Sequence, residues 1–368
     1  MFRLTAILSV AAALFTVSCA QAAQDPADTK SAHPDHDPQT MKAIGLYQYG
    51  GPEVLGVVTV AKPEPKPKQV RIRVMAAGVN PVDQMVREGA LADYYEGHDF
   101  PYIPGMDVSG VVDQIGNKVD PALGLETGMD VTAIVSNFAG YGGYSQYINV
   151  PAESVIPMPK DRAYSEAASF LTTAMTAQTA LNALDLPKGS SLLVIGAAGS
   201  VGTFASVLAE QDGLEVVGIA SSSDESDLRS YGISHFIARG EDANDQVRQI
   251  YPKGVDAVID TAGIRTRAFP ALKDNGEYIA LRDWKDAPDI RGIRVTRVDV
   301  RDHITDHAAI AKIGHLVEQG VLPIRIAKVF PSSKAAAAHE LLATHGVRGK
   351  IVLDMSEITG APAPQPND

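Results

Sequence analysis

Ser191-Leu-Leu-Val-Ile195-Gly196-Ala-Ala-Gly199-Ser-Val-Gly202 decides how this chain is read. The apolar run after Ser191 makes a short buried strand, and the glycines follow it without a break. Glycine permits a tight turn and lets backbone approach a ligand closely. Residues 203–211 then show a helical pattern, and residues 215–219 are a second apolar run. Strand, glycine turn, helix and strand together make a βαβ unit. The helix N-terminus offers unpaired N–H groups and partial positive charge, which suits the pyrophosphate of a dinucleotide. Gly196, Ala197, Ala198, Gly199, Ser200, Val201 and Gly202 are therefore the expected cofactor turn.

The alternation continues outward. Downstream, apolar runs at residues 257–260 and 278–281 are separated by helical segments, the pattern of a doubly wound parallel sheet. A helix at residues 303–319, a strand at 325–330, a helix at 333–344 and a strand at 350–355 follow, and they need not join that sheet. Upstream, a helical pattern over residues 166–184 marks a change of period near Ser165. Before it, β signals dominate. Val70-Arg-Ile-Arg-Val-Met-Ala alternates apolar and charged residues, and further strands are expected at 107–115, 130–135 and 143–150. The fold class is thus α/β.

Composition agrees. The chain has 368 residues, room for about two domains at roughly 100–200 residues each. It is 45% hydrophobic and 21% charged, and its formal net charge of −12 argues against nucleic acid as the partner. Cys19 is the sole cysteine, so an intramolecular disulfide and a cysteine-rich zinc site are both excluded.

The start reads as an export signal. Arg3 supplies the positive region, an apolar stretch runs to Val17, and Ala20-Gln21-Ala22 is a small-x-small cleavage site. The stretch is short for a membrane span, which needs roughly 20 residues. Cleavage after Ala22 and a periplasmic or secreted mature chain are expected. A lipid anchor on Cys19 is the alternative. Residues 23–40 read as a disordered linker and 357–368 as a disordered tail.

The end of the second βαβ strand speaks to the cofactor. An NAD site places a carboxylate there to grip the ribose 2′-hydroxyl. This chain has Ala220 followed by Ser221, Ser222 and Ser223, whose hydroxyls can donate to a 2′-phosphate, so NADP(H) is expected. The nearest cation in the sequence is Arg229. The serines can also cap a helix starting near Asp224.

Several motifs occur in one order: Met41-Lys-Ala-Ile, Gly50-Gly-Pro-Glu-Val-Leu55, Asn80-Pro-Val-Asp83, Pro101-Tyr-Ile-Pro-Gly-Met-Asp107, Gly142-Gly-Tyr-Ser-Gln-Tyr147, Thr173-Ala-Met-Thr176, Asp260-Thr-Ala-Gly263 and Arg348-Gly-Lys350. With the glycine turn they resemble the medium-chain dehydrogenase/reductase superfamily, and its zinc-free quinone oxidoreductase branch in particular. The resemblance covers residues 41–355. It implies a GroES-like β-barrel catalytic domain at residues 41–164, a Rossmann domain at 165–310 and a return to the catalytic domain at 311–356. It also implies a site in the cleft between them, with Thr176 near the nicotinamide and Lys350 among the cofactor contacts. A homodimer is expected.

Zinc members of that family carry a cysteine and a Gly-His-Glu segment. Here Gly105-Met106-Asp107 stands in that place, so no metal is expected. His98, His235, His303, His307, His315, His339 and His345 are read as structural or surface residues. Without a Lewis acid an alkoxide is hard to stabilise, whereas a quinone or an α,β-unsaturated carbonyl spreads its charge over a conjugated oxygen. Hydride transfer from NADPH to such a substrate is the expected activity. Asn80 is expected to orient substrate or ribose and Asp83 to set pocket polarity; both could instead stabilise the turn after the strand. Thr176 could likewise be a helix threonine bonding back one turn. Many relatives carry a tyrosine two residues after the aspartate, where this chain has Met85, so the proton donor is unassigned; Tyr94 and Tyr95 could substitute, across a segment of different length. A non-catalytic binding protein on the same fold and a zinc-free alcohol dehydrogenase are the other readings.

Overall fold

The computed structural model describes residues 39–136, 141–282, 284–344 and 346–360. The expected leader, with Cys19 and Ala22, lies outside the described residues, as do His345 and most of the expected linker and tail.

The first lobe opens with β1 (Thr40–Gly45) and β2 (Gly56–Ala61), an antiparallel pair. Then come β3 (Gln69–Val79), α1 (Pro81–Glu88), β4 (Asp107–Ile115), β5 (Asp130–Ile134), β6 (Tyr147–Pro151), β7 (Val155–Pro157) and α2 (Tyr164–Ala167). The second lobe is α3 (Leu171–Leu184), β8 (Ser191–Ile195), α4 (Ser200–Gln211), β9 (Glu215–Ala220), α5 (Glu225–Ser230), β10 (His235–Ala238), α6 (Ala243–Ile250), β11 (Val255–Asp260), β12 (Leu272–Ala280), β13 (Arg294–Arg297) and α7 (His307–Glu318). The chain then returns with β14 (Ile326–Pro331), α8 (Ala335–Ala343), β15 (Lys350–Asp354) and α9 (Ser356–Thr359).

The second-lobe sheet is parallel throughout, in the order β10-β9-β8-β11-β12-β13. Its central strand β8 is buried along its whole length, which is why it reads as an unbroken apolar run. The strand order reverses around β8, so the glycine turn leaves the sheet at the topological switch point, where such sheets bind ligands. The first-lobe sheet runs β14-β15-β3-β4-β5-β7, with β6 pairing to the other stretch of β3. β15 thus joins the first lobe antiparallel to β3, through Ile351 opposite Val79. The late βαβ piece belongs outside the parallel sheet.

Several boundaries differ from the sequence reading. The single helix expected over residues 166–184 is two, because Ser169 Oγ donates to Glu166 O at 2.6 Å and ends α2. The break lets the Ala168 carbonyl pack on Gly78, where a Cβ would stand 2.4 Å away. The return to the first lobe comes later than residue 311: Ile310, Ile313 and Val317 of α7 are all in the core of the second lobe. The expected tail begins too early, since Ile358 of α9 is buried in the first-lobe core. The elements α1, β2, β7, β10, β13 and α9 were not expected; each is short and carries too little periodicity to be read. Among the described residues, no helix is long and apolar enough to cross a membrane.

Candidate active site

The glycine turn is built as the dinucleotide reading requires. Gly196 has φ +78°, and a Cβ there would meet Thr261 Oγ1 at 2.5 Å. A Cβ on Gly202 would stand 2.2 Å from the Gly196 carbonyl oxygen, so glycine alone lets α4 start this close to β8. Gly199 precedes α4 and has no side chain to cap it. The N–H groups of Ser200, Val201 and Gly202, in the first turn of a helix, therefore have no intrahelical partner. Ala197 is buried beneath the turn, while Ala198 and Ser200 line a cleft shared with Thr203, Asp224, Arg325 and Lys350. These residues fit a pyrophosphate. On the same edge, Asp260 accepts from the N–H groups of Ala262, Gly263 and Arg265, at 3.0, 2.8 and 2.9 Å, and ties the turn after β11.

At the end of β9, Ser221 N–H donates to Asp224 Oδ2 at 3.2 Å, closing a 3-10 turn over Ser222–Asp224. The capping part of the sequence reading is thus present, with Ser222 and Ser223 exposed. Two cations converge on Ser221 Oγ: Arg239 Nη2 at 3.2 Å and Arg348 Nη2 at 3.3 Å. Arg348 also donates twice to Asp224, whose carboxyl is held below its usual range chiefly by that bond. Arg229, the nearest cation in sequence, instead pairs with Glu225. Arg239 and Arg348 were missed because neither lies in the serine loop; only the pairing of β10 with β9 and the return of the chain bring them there.

The centre of the site is a buried polar cluster. Asn80 ends β3 and precedes α1. Its Nδ2 donates to Asp107 Oδ2 at 2.9 Å, and its Oδ1 accepts from Lys350 Nζ. Lys350 Nζ also reaches Thr173 Oγ1 at 3.3 Å and lies 3.7 Å from Asp107 Oδ2. Asp107 Oδ1 accepts from Thr172 N–H at 2.7 Å, so β4 supplies the N-terminal partner that α3 lacks of its own. Lys350 therefore meets the expected Asn80 as well as bordering the cleft.

Asp83 stands behind this cluster. It is 0% exposed and accepts from Asn80 N–H at 2.8 Å, Gly105 N–H at 2.8 Å and Tyr144 OH at 3.3 Å. Burial pushes its carboxyl up to about 7, against the opposing pull of the two backbone N–H groups and Lys350. Asp83 thus has the contacts of the turn-stabilising part of the sequence reading and holds Asn80 in place. Behind it, Tyr144 OH contacts His339 Nε2 at 3.3 Å, and burial lowers His339 to about 3, which keeps it neutral. Thr176 Oγ1 donates back to Thr172 O at 2.7 Å, the bond of an ordinary helix threonine, and Thr176 is itself half-buried in an otherwise buried stretch of α3.

Met106 is buried beside Asp107 where zinc members place histidine. Among the described residues no three His, Cys, Asp or Glu side chains group as metal ligands. Around Asn80 and Asp107 a lysine ammonium already supplies the positive charge. That donor set does not fit a zinc ion.

Residues 66–160 match the alcohol dehydrogenase GroES-like domain, and residues 231–353 match the zinc-binding dehydrogenase domain. The chain is 32% identical to the human synaptic vesicle membrane protein VAT-1 homolog-like over 266 residues, 70% of this chain but 61% of that protein. It is 31% identical to the chloroplastic NADPH-dependent alkenal/one oxidoreductase of Arabidopsis thaliana over 328 residues, 86% of this chain and 80% of that one. The structure of the quinone oxidoreductase from Coxiella burnetii superposes with a TM-score of 0.73 at 29% identity, covering 86% of this chain and 99% of that one.

Proposed function

Since the chain belongs to the medium-chain dehydrogenase/reductase superfamily, in its quinone oxidoreductase-like branch, we propose that it is an NADPH-dependent, zinc-independent oxidoreductase acting on quinones or α,β-unsaturated carbonyls. The observation that carries the cofactor choice is the convergence of Arg239 and Arg348 on Ser221. A 2′-phosphate at that turn would meet two guanidinium groups and the serine hydroxyls, a strong acceptor–donor match. Asp224 is no obstacle, because its charge is already paired with Arg348. Bound NADPH would supply the hydride.

The residues divide the remaining work. The turn from Gly196 to Gly202 holds pyrophosphate through backbone N–H groups. Asn80, fixed by Asp83 and Asp107, offers a side chain of set orientation to the substrate or ribose. Lys350 places a positive charge beside Asn80, where charge developing on a conjugated oxygen is stabilised. Zinc independence is supported by that ammonium and by Met106.

The test is a titration of the mature chain with NADPH and NADH, followed by the fluorescence of Trp284, then turnover with a benzoquinone and a simple alkenone. Tighter binding of NADPH and its oxidation by either acceptor are expected. Binding without turnover would favour a non-catalytic ligand-binding role, and equal affinities would overturn the NADPH assignment. For location we propose export with cleavage after Ala22, on the strength of the leader sequence.

A further inference from the structure

Reducing a conjugated carbonyl takes a proton as well as a hydride, and the segment after Asp83 carries Met85 where a tyrosine would serve. We infer that Tyr94 is the proton donor of the proposed reduction, set against Arg301 of the other lobe. The inference rests on the functional reading above.

Tyr94 and Tyr95 both lie in the 3-10 turn Ala92–Tyr95 after α1, and they differ in exposure. Tyr95 is 2% exposed and stacks on Tyr102 with ring centroids 4.5 Å apart; burial pushes its phenol well up. It is held in the lobe and is a poor acid. Tyr94 is 48% exposed. Arg301 Nη2 donates to its hydroxyl oxygen at 3.3 Å, and the guanidinium carbon lies 4.4 Å from the ring centroid.

Arg301 comes from the 3-10 turn Val300–His303, which follows β13 at the carboxyl edge of the parallel sheet. Ligands bind outside that edge. Ser221 marks the adenine end over β9, so an extended dinucleotide directs its other end toward β11, β12 and β13. The Tyr94–Arg301 pair is therefore on the half of the edge where the nicotinamide and substrate belong.

The charges around the phenol favour proton release. The hydrogen bond and charge of Arg301, with a smaller contribution from Arg297, hold Tyr94 below its usual value. Asp299 accepts from Arg301 Nε at 2.8 Å and from Arg297 Nη2 at 3.2 Å, and so fixes both cations. Asp93, next to Tyr94, is the carboxylate on its own turn.

The step balances as follows. The β-carbon of the alkenone accepts a hydride from the reduced nicotinamide, and the C=C electron pair moves onto the carbonyl as an enolate. The Tyr94 O–H bond breaks, its proton goes to the α-carbon, and the enolate pair forms the new C–H bond. The phenolate left beside Arg301 regains a proton from water, which its exposure allows.

Tyr94→Phe removes the hydroxyl alone. With an alkenone and NADPH, kcat should fall at least tenfold while the NADPH affinity read from Trp284 is unchanged. Arg301→Gln should move the alkaline limb of the kcat profile to higher pH, because the cation that lowers the phenol is gone. Without substrate, the absorbance titration of tyrosinate should lose its lowest-pH step in Tyr94→Phe. An active wild type with unimpaired Tyr94→Phe, or superimposable tyrosinate titrations, overturns the inference alone. A wild type that oxidises NADPH with neither acceptor overturns the functional reading and this inference with it.

Discussion

Arg348 donates to Asp224 through two hydrogen bonds of 2.7 Å, from Nε to Oδ1 and from Nη2 to Oδ2. The pair joins the returning chain to the turn after β9 and leaves Nη2 within 3.3 Å of Ser221 Oγ. A carboxylate that would repel a phosphate is thereby turned into an anchor for a cation that attracts one. Arg348→Ala should weaken NADPH by about 10- to 100-fold, the worth of a charge-assisted hydrogen bond of ~1.5–3 kcal/mol, and leave NADH nearly unchanged. Ala220→Asp should shift preference toward NADH by supplying the missing ribose carboxylate. Paired fluorescence titrations check both.

Asp83 predicts an unusual pH dependence. Its folded value of about 7 lies above the ordinary carboxyl value of 3.8, so between those limits the folded chain binds a proton that the unfolded chain has released. Stability from this group is fully present below about pH 4 and is lost as pH rises through about 7. The full span corresponds to about 4 kcal/mol. Urea unfolding at pH 5 and pH 8 should show this fall in the natural chain, and Asp83→Asn should flatten it. A slope that is equal in both proteins would contradict the assignment.

Gly202→Ala tests the turn. The added Cβ meets the Gly196 carbonyl at 2.2 Å, and backbone on both sides must shift. A stability loss of about 1–3 kcal/mol is expected, as for other overpacked sites. NADPH affinity should drop with it, because the same shift moves the N–H groups of α4. An unchanged melting temperature would mean that the close approach is absent.

Lys350→Met should cost about 3–5 kcal/mol, because Asp107 would keep a buried charge without its cation. The double variant Lys350→Met, Asp107→Asn should recover part of the loss, as a double-mutant cycle would show. The proposed zinc-independent reaction should be insensitive to chelation. Activity lost to a chelator and restored by zinc would overturn the zinc-free reading.

Export is checked by N-terminal sequencing of protein from fractionated cells. A mature chain starting at Ala23 is expected. An acylated Cys19 in the membrane fraction would mark the lipid-anchored form, and an intact Met1 in the cytosol would remove the export proposal.

Local features were legible because their chemistry is local. The β8 run, the glycine turn, α4 and β9 follow one another closely, and each restricts its neighbours' backbone, so the βαβ unit could be read directly from residues 191–219. The absence of a carboxylate at Ala220 was legible for the same reason. The helix break at Ser169 was not, because it answers to the close packing of Ala168 on Gly78, which belongs to a distant strand. For Asp83 the two readings, pocket polarity and turn stabilisation, could not be separated in sequence, since its contacts with Tyr144 and Gly105 depend on the fold.

The order of residues along the chain was enough for the βαβ unit with its glycine turn and for the family resemblance. Its limit was charge pairing across the fold. Arg239 reaches Ser221 over 18 residues, Arg348 reaches it over 127, and Lys350 reaches Asn80 over 270. Coulombic and hydrogen-bond partners act through distance in space, and burial sets their strength. Which cation stands at Ser221, which at Asn80 and which at Tyr94 became definite only when the strands paired and the chain returned to its first lobe.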